Sequence, residues 1–468
     1  MISEADVVVI GAGPAGLSAA TAAAGAGARV AVVDDQPGPG GQVYRSIETV
    51  DRTRPADLDF LGRDYSSGIG VVQDFRATGC GYLPRTSVWH VGETGAGRRR
   101  AIYCSRDGGT FRILARHVVI ATGALERPVP VPGWTLPGVM SAGAVQGALK
   151  SSGVYPAGRL VIAGSGPLPL LLAAQLLAAR VPIAAFVDTA PVGVLMRALV
   201  HLPRAAAAGD YLLRGLALAR TIRKSGIPFY RGAAGLRVAG SDRVSALEFR
   251  AGGQDHVIPA DVVALHEGLV PNSQLTRLVG MRHFWDRRQR CWRPELGPWG
   301  ESSEQGIHVA GDGSGIFGAR AAGYDGRSVG LDLAMRLGLI AESERDLDAN
   351  DARMRRMLDV GVRPLLESCF PPPDWIGSVA DEITVCRCEE VSAGAIRTAV
   401  ADGCAGPNQV KAFLRCGMGP CQGRLCASTV AEVISAAGGR SLAEVGTYRI
   451  RPPIRPVTLA ELAELGPA

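Results

Sequence analysis

Short apolar runs alternate with Ala-rich, helix-forming stretches along the front of this chain. Residues 6–10 (DVVVI) form a continuous apolar run, as in a strand covered on both faces. Residues 15–28 predict an Ala-rich helix, and residues 29–34 (RVAVVD) a second strand, together a βαβ unit. Residues 117–121 (HVVIA) predict another strand, which runs into ATG. Residues 159–163 (RLVIA), a helix over about 168–180 and residues 182–187 (PIAAFV) make a second βαβ unit. Residues 307–310 (IHVA) predict a strand entering GDG. The implied order is a dinucleotide fold, a second one inserted into it, and a return to the first.

From about residue 346 the texture changes. A charged helical stretch (SERDLDANDARMRRMLDV) gives way to FPPPDW, a Pro-rich linker. The expected organisation is a discontinuous first domain over 1–150 and 295–345 and a second dinucleotide domain over 155–290. A linker over 346–380, a Cys-rich unit over 381–440 with helices at 392–402 and 427–437, and a C-terminal arm over 441–468 follow. The fold class is α/β, with two Rossmann-like domains plus a small helical module. Residues 160–179 carry no charge and are long enough to span a bilayer, but GSGPLP would break a helix there. A buried strand followed by a helix accounts for them, so no transmembrane segment is expected.

Composition changes this picture little. The 468 residues call for about three domains, and 47% hydrophobic with 20% charged residues is ordinary for a globular protein. The net charge of +6 is mild. The run Arg98–Arg99–Arg100 reads as a solvated loop. No aromatic residues interleave a basic stripe, which argues against nucleic-acid binding. The start of the chain lacks a basic–apolar–small signal pattern, and ten cysteines then point to a reduced, cytoplasmic setting. Five of those cysteines (386, 388, 416, 421 and 426) crowd into one short stretch, so they describe a local site rather than a disulfide framework.

The first βαβ unit carries the clearest chemistry. Gly11, Gly13 and Gly16 form GxGxxG, with Pro14 and Ala15 inside the loop. The first glycine permits the turn, the second admits a pyrophosphate, and the third lets helix and strand close up. Asp34 ends the next strand, where a carboxylate accepts ribose hydroxyls; its neighbour Asp35 competes for that role. Three further segments extend the pattern: Gly40–Gly41–Gln42, Thr122–Gly123 in ATGALERP, and Gly311–Asp312 in GDGSGIFGA. No cysteine pair follows GGQ, and Cys80, Cys104, Cys291 and Cys369 are isolated, so packing cysteines are expected there. The second loop, Gly164-Ser-Gly166-Pro-Leu-Pro169, has lost its third glycine, although Asp188 ends the next strand. A scaffold, or a site for a nucleotide other than NAD(P), is favoured there.

These segments resemble the pyridine-nucleotide-disulfide-oxidoreductase family of flavoproteins. The resemblance implies FAD, with Asp312 on its ribityl chain and the GGQ segment near the isoalloxazine. Cys386-Arg-Cys388, a long gap, and Cys421-x4-Cys426 resemble the bacterioferritin-associated-ferredoxin-like [2Fe–2S] module. That likeness implies Cys386, Cys388, Cys421 and Cys426 as ligands. Cys416 is the rival ligand, and structural zinc the rival occupant.

Nearly the whole chain, through ATGALERPVPVPGWTLPGVMSAGAVQ, AGSGPLPLLLAAQLL, CRCEEV, KAFLRCGMGPCQGRLC and RPPIRP, is similar to the α subunits of bacterial multimeric amine and imino-acid dehydrogenases. That group includes opine oxidases, D-hydroxyproline dehydrogenase and the larger flavin subunit of hydrogen cyanide synthase. It implies a β subunit of the D-amino-acid-oxidase type that oxidises the carbon–nitrogen bond, and a small third subunit. It also implies an FMN at the interface, an acceptor such as a quinone, and peripheral contact with the inner membrane. This chain would relay electrons; no catalytic acid–base pair is read in it, and the scattered His90, His117, His201 and His266 read as surface or core residues. A stand-alone NAD(P)H-dependent reductase and a non-enzymatic iron-related binding protein are the alternatives.

Overall fold

The computed structural model describes residues 2–94 and 99–465. A seven-stranded sheet forms the first layer system. Strand Glu4–Ile10 lies parallel between Val30–Val33 and Gly109–Ile120, with Val7 opposite Val30 on one side and His117 on the other. Ser87–Glu93 and Arg100–Arg106 extend the sheet as antiparallel strands. Ile307–Val309 returns to pair in parallel with residues 118–120, so the chain does come back to its first sheet. The strands that the apolar runs mark are buried at their centres: Val7, Val8 and Val9 are fully inaccessible.

Helix Pro14–Gly25 covers one face and packs on helix Ala319–Arg336. The contact is backbone against backbone. A Cβ at Gly326 would sit 2.0 Å from the Ala15 carbonyl oxygen, and one at Gly330 2.4 Å from that of Ala19. Pro14 starts the first helix, where its missing N–H costs nothing.

The second sheet is parallel, in the order Phe229–Arg231, Ile183–Asp188, Leu160–Ser165, Val262–Glu267, Val139–Ser141. The uncharged stretch 160–179 resolves into strand Leu160–Ser165 and helix Pro167–Ala178. No helix among the described residues is long and apolar enough to cross a membrane. The two halves are stitched by a two-stranded ribbon, Ala124–Glu126 against Leu269–Pro271. Both halves follow the expected α/β dinucleotide-fold class.

The arginine run departs from expectation. Arg98 lies outside the described residues. Arg99 pairs with Glu4 at 3.0 Å. Arg100 begins a strand, is only 9% exposed, and donates to the Gln305 carbonyl at 2.8 Å. Strand pairing draws it inward, so it is not part of a solvated loop.

Beyond the Pro-rich stretch, helices Ala393–Ala401, Pro407–Leu414 and Ala427–Gly438 enclose a separate apolar core. Ser392 caps the first of them, accepting from the Ala395 amide at 3.2 Å. The module is docked firmly. The Trp134 indole donates to the Thr384 carbonyl at 2.9 Å, and the buried Glu432 carboxylate meets Arg290 at 2.7 Å and Arg127 at 3.5 Å. The final arm then recrosses the first sheet, where Ile454 is buried and the Thr110 hydroxyl donates to the Glu461 carbonyl at 2.6 Å. Helix Glu342–Val360 carries the charged stretch that opens the expected linker; it packs on helix Ala319–Arg336.

Candidate functional site

The GxGxxG turn, the strand ends beside it and helix Ala142–Ser152 enclose a cavity of about 870 Å³. Its glycines are structurally demanded. Gly11 has φ +108° and a Cβ there would lie 2.4 Å from the Ala121 carbonyl; one at Gly16 would lie 1.8 Å from the Gly11 carbonyl. Gly13, Pro14 and Ala15 line the cavity at the start of the helix, whose free amides suit a pyrophosphate.

Asp34 sits where expected. Its two oxygens accept from the Ala12 amide at 2.5 Å and the Gln36 amide at 2.6 Å, and burial raises its pKa. Asp35 is engaged differently: it accepts from Ser87 at 2.8 Å and pairs with Arg455 of the C-terminal arm. Gly41 lies over the loop, close enough that a Cβ would approach the Gly13 Cα to 2.7 Å. Gln42, Thr122, Gly123 and Asp312 all line the cavity. Asp312 accepts from the Phe317 and Gly318 amides at 2.9 and 3.0 Å, and burial raises its pKa. Gly16 and Gly311 support the walls: a Cβ at Gly311 would strike that of Ala15 at 2.6 Å. A cavity of this size, with a glycine turn at a helix start and two buried acids in Asp34 and Asp312, fits FAD.

Several lining residues were not evident in the sequence. Glu126 accepts from Ser141 and from the Gly143 amide at 3.0 Å, and is hydrogen-bonded to His266 Nδ1 at 2.7 Å. Thus His266, buried as one of its two readings expects, also belongs to a network at the cavity wall. Lys150, Gln146, Arg424 and Arg455 also line it. Glu126 lies in the ATGALERP motif, but only its Thr122 and Gly123 were singled out; nothing local marked the rest.

The second nucleotide loop keeps a required first glycine but has a proline at its third glycine position. A Cβ at Gly164 would lie 1.8 Å from the His266 carbonyl oxygen, and Pro169 is buried in the helix's first turn. Leu168 and Leu171 of that helix line the first cavity instead. Glu267 beside the loop accepts from Thr189 at 2.7 Å, and burial pushes its carboxyl up to about 7. Asp188 accepts from the Ala190 amide at 3.0 Å.

All five clustered cysteines converge. The sulfurs of Cys386, Cys416 and Cys426 lie within 4.8 Å of one another. Cys388 contacts Cys421 beside them. Hydrogen bonds from the Cys416 and Cys426 thiols, then from the Gly417 and Glu389 amides, pull Cys386 down to about 2, a thiolate. Gly417 and Gly423 pack flat on the Tyr448 ring, whose hydroxyl lies 3.9 Å from the Cys426 sulfur. Two thiol groups set side by side, with amides directed at sulfur, fit a [2Fe–2S] cluster. The group adjoins the cavity: Arg424 lines the cavity from within the Cys421–Cys426 loop, and Gln274, another lining residue, donates to the Gln422 carbonyl at 3.1 Å. By contrast Cys104 and Cys291 are simply buried, which pushes each to about 12. The described cysteines form no disulfide.

Residues 5–326 match the pyridine nucleotide-disulphide oxidoreductase family, and residues 383–465 the sarcosine oxidase A3 domain. The chain is 42% identical to the opine oxidase A subunit of Rhizobium meliloti, over 98% of this chain and 87% of that one. It is 31% identical to the hydrogen cyanide synthase protein HcnB of Pseudomonas aeruginosa, over 98% of both chains. Among solved structures, L-proline dehydrogenase from P. horikoshii superposes over 99% of this chain and 80% of that one, with a TM-score of 0.73 at 21% identity, a likeness of fold. With its Rossmann-type cavity and its appended cysteine module, the chain belongs to the family of opine oxidase A-type subunits, the α subunits of multimeric flavin-dependent dehydrogenases.

Proposed function

We propose that this chain is the FAD- and [2Fe–2S]-bearing electron-transfer subunit of a hetero-oligomeric dehydrogenase. Its substrate class is an amino acid, imino acid or opine, oxidised on a partner β subunit of the D-amino-acid-oxidase type. The observation that carries this reading is the adjacency of the two sites: Arg424 belongs both to the cavity wall and to the cysteine loop. Bound here, the flavin supplies two-electron chemistry and the cluster one-electron chemistry.

The chain's own residues do the holding. The amides that open helix Pro14–Gly25 receive the pyrophosphate, Asp34 the adenosine ribose and Asp312 the ribityl hydroxyls. Cys386, Cys388, Cys421 and Cys426 hold the cluster, with Cys388 and Cys421 as one pair and Cys386 and Cys426 as the other. The Gly417 and Glu389 amides stabilise charge on Cys386. The second nucleotide fold serves as scaffold: its helix presents Leu168 and Leu171 to the first cavity, and a buried acid stands by its loop.

The test is spectroscopic. Purified, the chain is expected to show flavin and [2Fe–2S] absorbance together. Cys421→Ser should abolish the cluster's spectrum while the flavin stays, and Cys416→Ser should leave both. Retention of the cluster by Cys421→Ser, or its loss in Cys416→Ser, sinks the ligand set; absence of iron from the wild type sinks the relay.

A further inference from the structure

A buried cation in the cavity wall has no counter-ion among the described residues. Lys150 is 5% exposed, on helix Ala142–Ser152. Its ammonium donates to the Val43 carbonyl at 3.0 Å, the Gln42 carbonyl at 3.3 Å and Gln146 Oε1 at 3.0 Å. Those three acceptors use all three N–H bonds, and all three are neutral. The charged group it feels most is another cation, Arg45. Burying a charge without a partner is costly, and here burial pulls Lys150 down to about 7. Such a site is stabilised when a ligand brings negative charge.

Position decides which part of the ligand that is. Asp34, Asp35, Thr86 and Val88 mark the nucleoside end of the cavity, and the pyrophosphate belongs at the start of helix Pro14–Gly25. Lys150 stands beyond Gln42, on the wall of helix Ala142–Ser152. Around it Gly143, Ala144, Gly147, Ala148 and Ser151 line the cavity. A helix face of such small residues leaves room for a flat ring.

We propose that Lys150 supplies a positive charge to the isoalloxazine of the bound flavin and so favours its electron-rich, anionic forms. This rests on the FAD reading above.

The probe is sulfite, which adds to the oxidised ring and leaves negative charge on it. Full-length wild type and Lys150→Met, both loaded with FAD, are titrated with sulfite and followed by bleaching of the flavin's visible band. The sulfite Kd of the variant is expected to rise by about tenfold or more, equivalent to ~1.4 kcal/mol. Its flavin midpoint potential should fall. Equal sulfite affinity and potential in the two proteins overturn the inference and leave the FAD reading standing. A wild-type chain that takes up no flavin overturns both. Should Lys150→Met lose its flavin, Lys150→Gln, which retains a donor for the Gln42 carbonyl, carries the same comparison. Loss of flavin from both variants, at unchanged apoprotein melting temperature, shows an anchoring role and overturns the inference.

Discussion

At the scale of single residues, two sites invite direct tests. A Cβ on Gly16 would lie 1.8 Å from the Gly11 carbonyl, a backbone atom that cannot swing aside. Gly16→Ala is therefore expected to open the loop, cost at least ~2 kcal/mol and lower the flavin-to-protein ratio, measured by absorbance after desalting. Glu267 gives a pH test. Its folded pKa, about 7, stands above the ordinary 4.5 because burial penalises the carboxylate. The unfolded chain therefore releases this proton first. Its contribution to stability is fully present below about 4.5 and fades as pH rises through about 7. Glu267→Gln, neutral at every pH, should gain on the wild type by about 3 kcal/mol between those limits, read from melting temperature against pH. The glycines were legible in the sequence because close approach allows one residue type. Glu267 was not, since its burial comes from strands and loops that meet only in space.

At the scale of elements, the joint between the cysteine module and the front half is the place to probe. Glu432 sits on helix Ala427–Gly438 and holds Arg290 and the fully buried Arg127. Glu432→Gln leaves two guanidinium groups without their shared carboxylate. We expect a loss of ~3 kcal/mol and faster proteolysis around residues 371–382, followed by gel analysis over time. The apolar runs had marked the central parallel strands and both βαβ helices, since strands buried on both faces must be apolar along their length, but not the parallel strands Gly81–Leu83, Val139–Ser141, Phe229–Arg231 and Val262–Glu267. Nor did the runs mark the antiparallel strands Ser87–Glu93 and Arg100–Arg106, where polar residues interrupt the apolar ones. Arg100 shows why: its charge suggests solvent, while its position in the sheet and the Gln305 carbonyl hold it inside.

At the scale of the whole molecule, the first cavity is walled by both nucleotide folds and by the C-terminal module. Arg455 crosses from the arm to Asp35, Arg424 reaches in from the cysteine loop, and Leu168 and Leu171 come from the second fold. A second loop with Pro169 in place of its third glycine, and a buried acid beside it, should disfavour NADH. Stopped-flow mixing of NADH with the oxidised chain is expected to leave the flavin unbleached; rapid bleaching would favour a stand-alone reductase. The sequence alone determined the α/β class, the phosphate turn, Asp34 and the presence of a thiol group, because each is written in a short contiguous stretch. Only the tertiary structure decided that Cys388 meets Cys421, that His266 joins Glu126, and that Lys150 stands in the cavity wall among neutral acceptors. Those groups are far apart along the chain, and local pattern carries no record of which distant surfaces the packed core brings together.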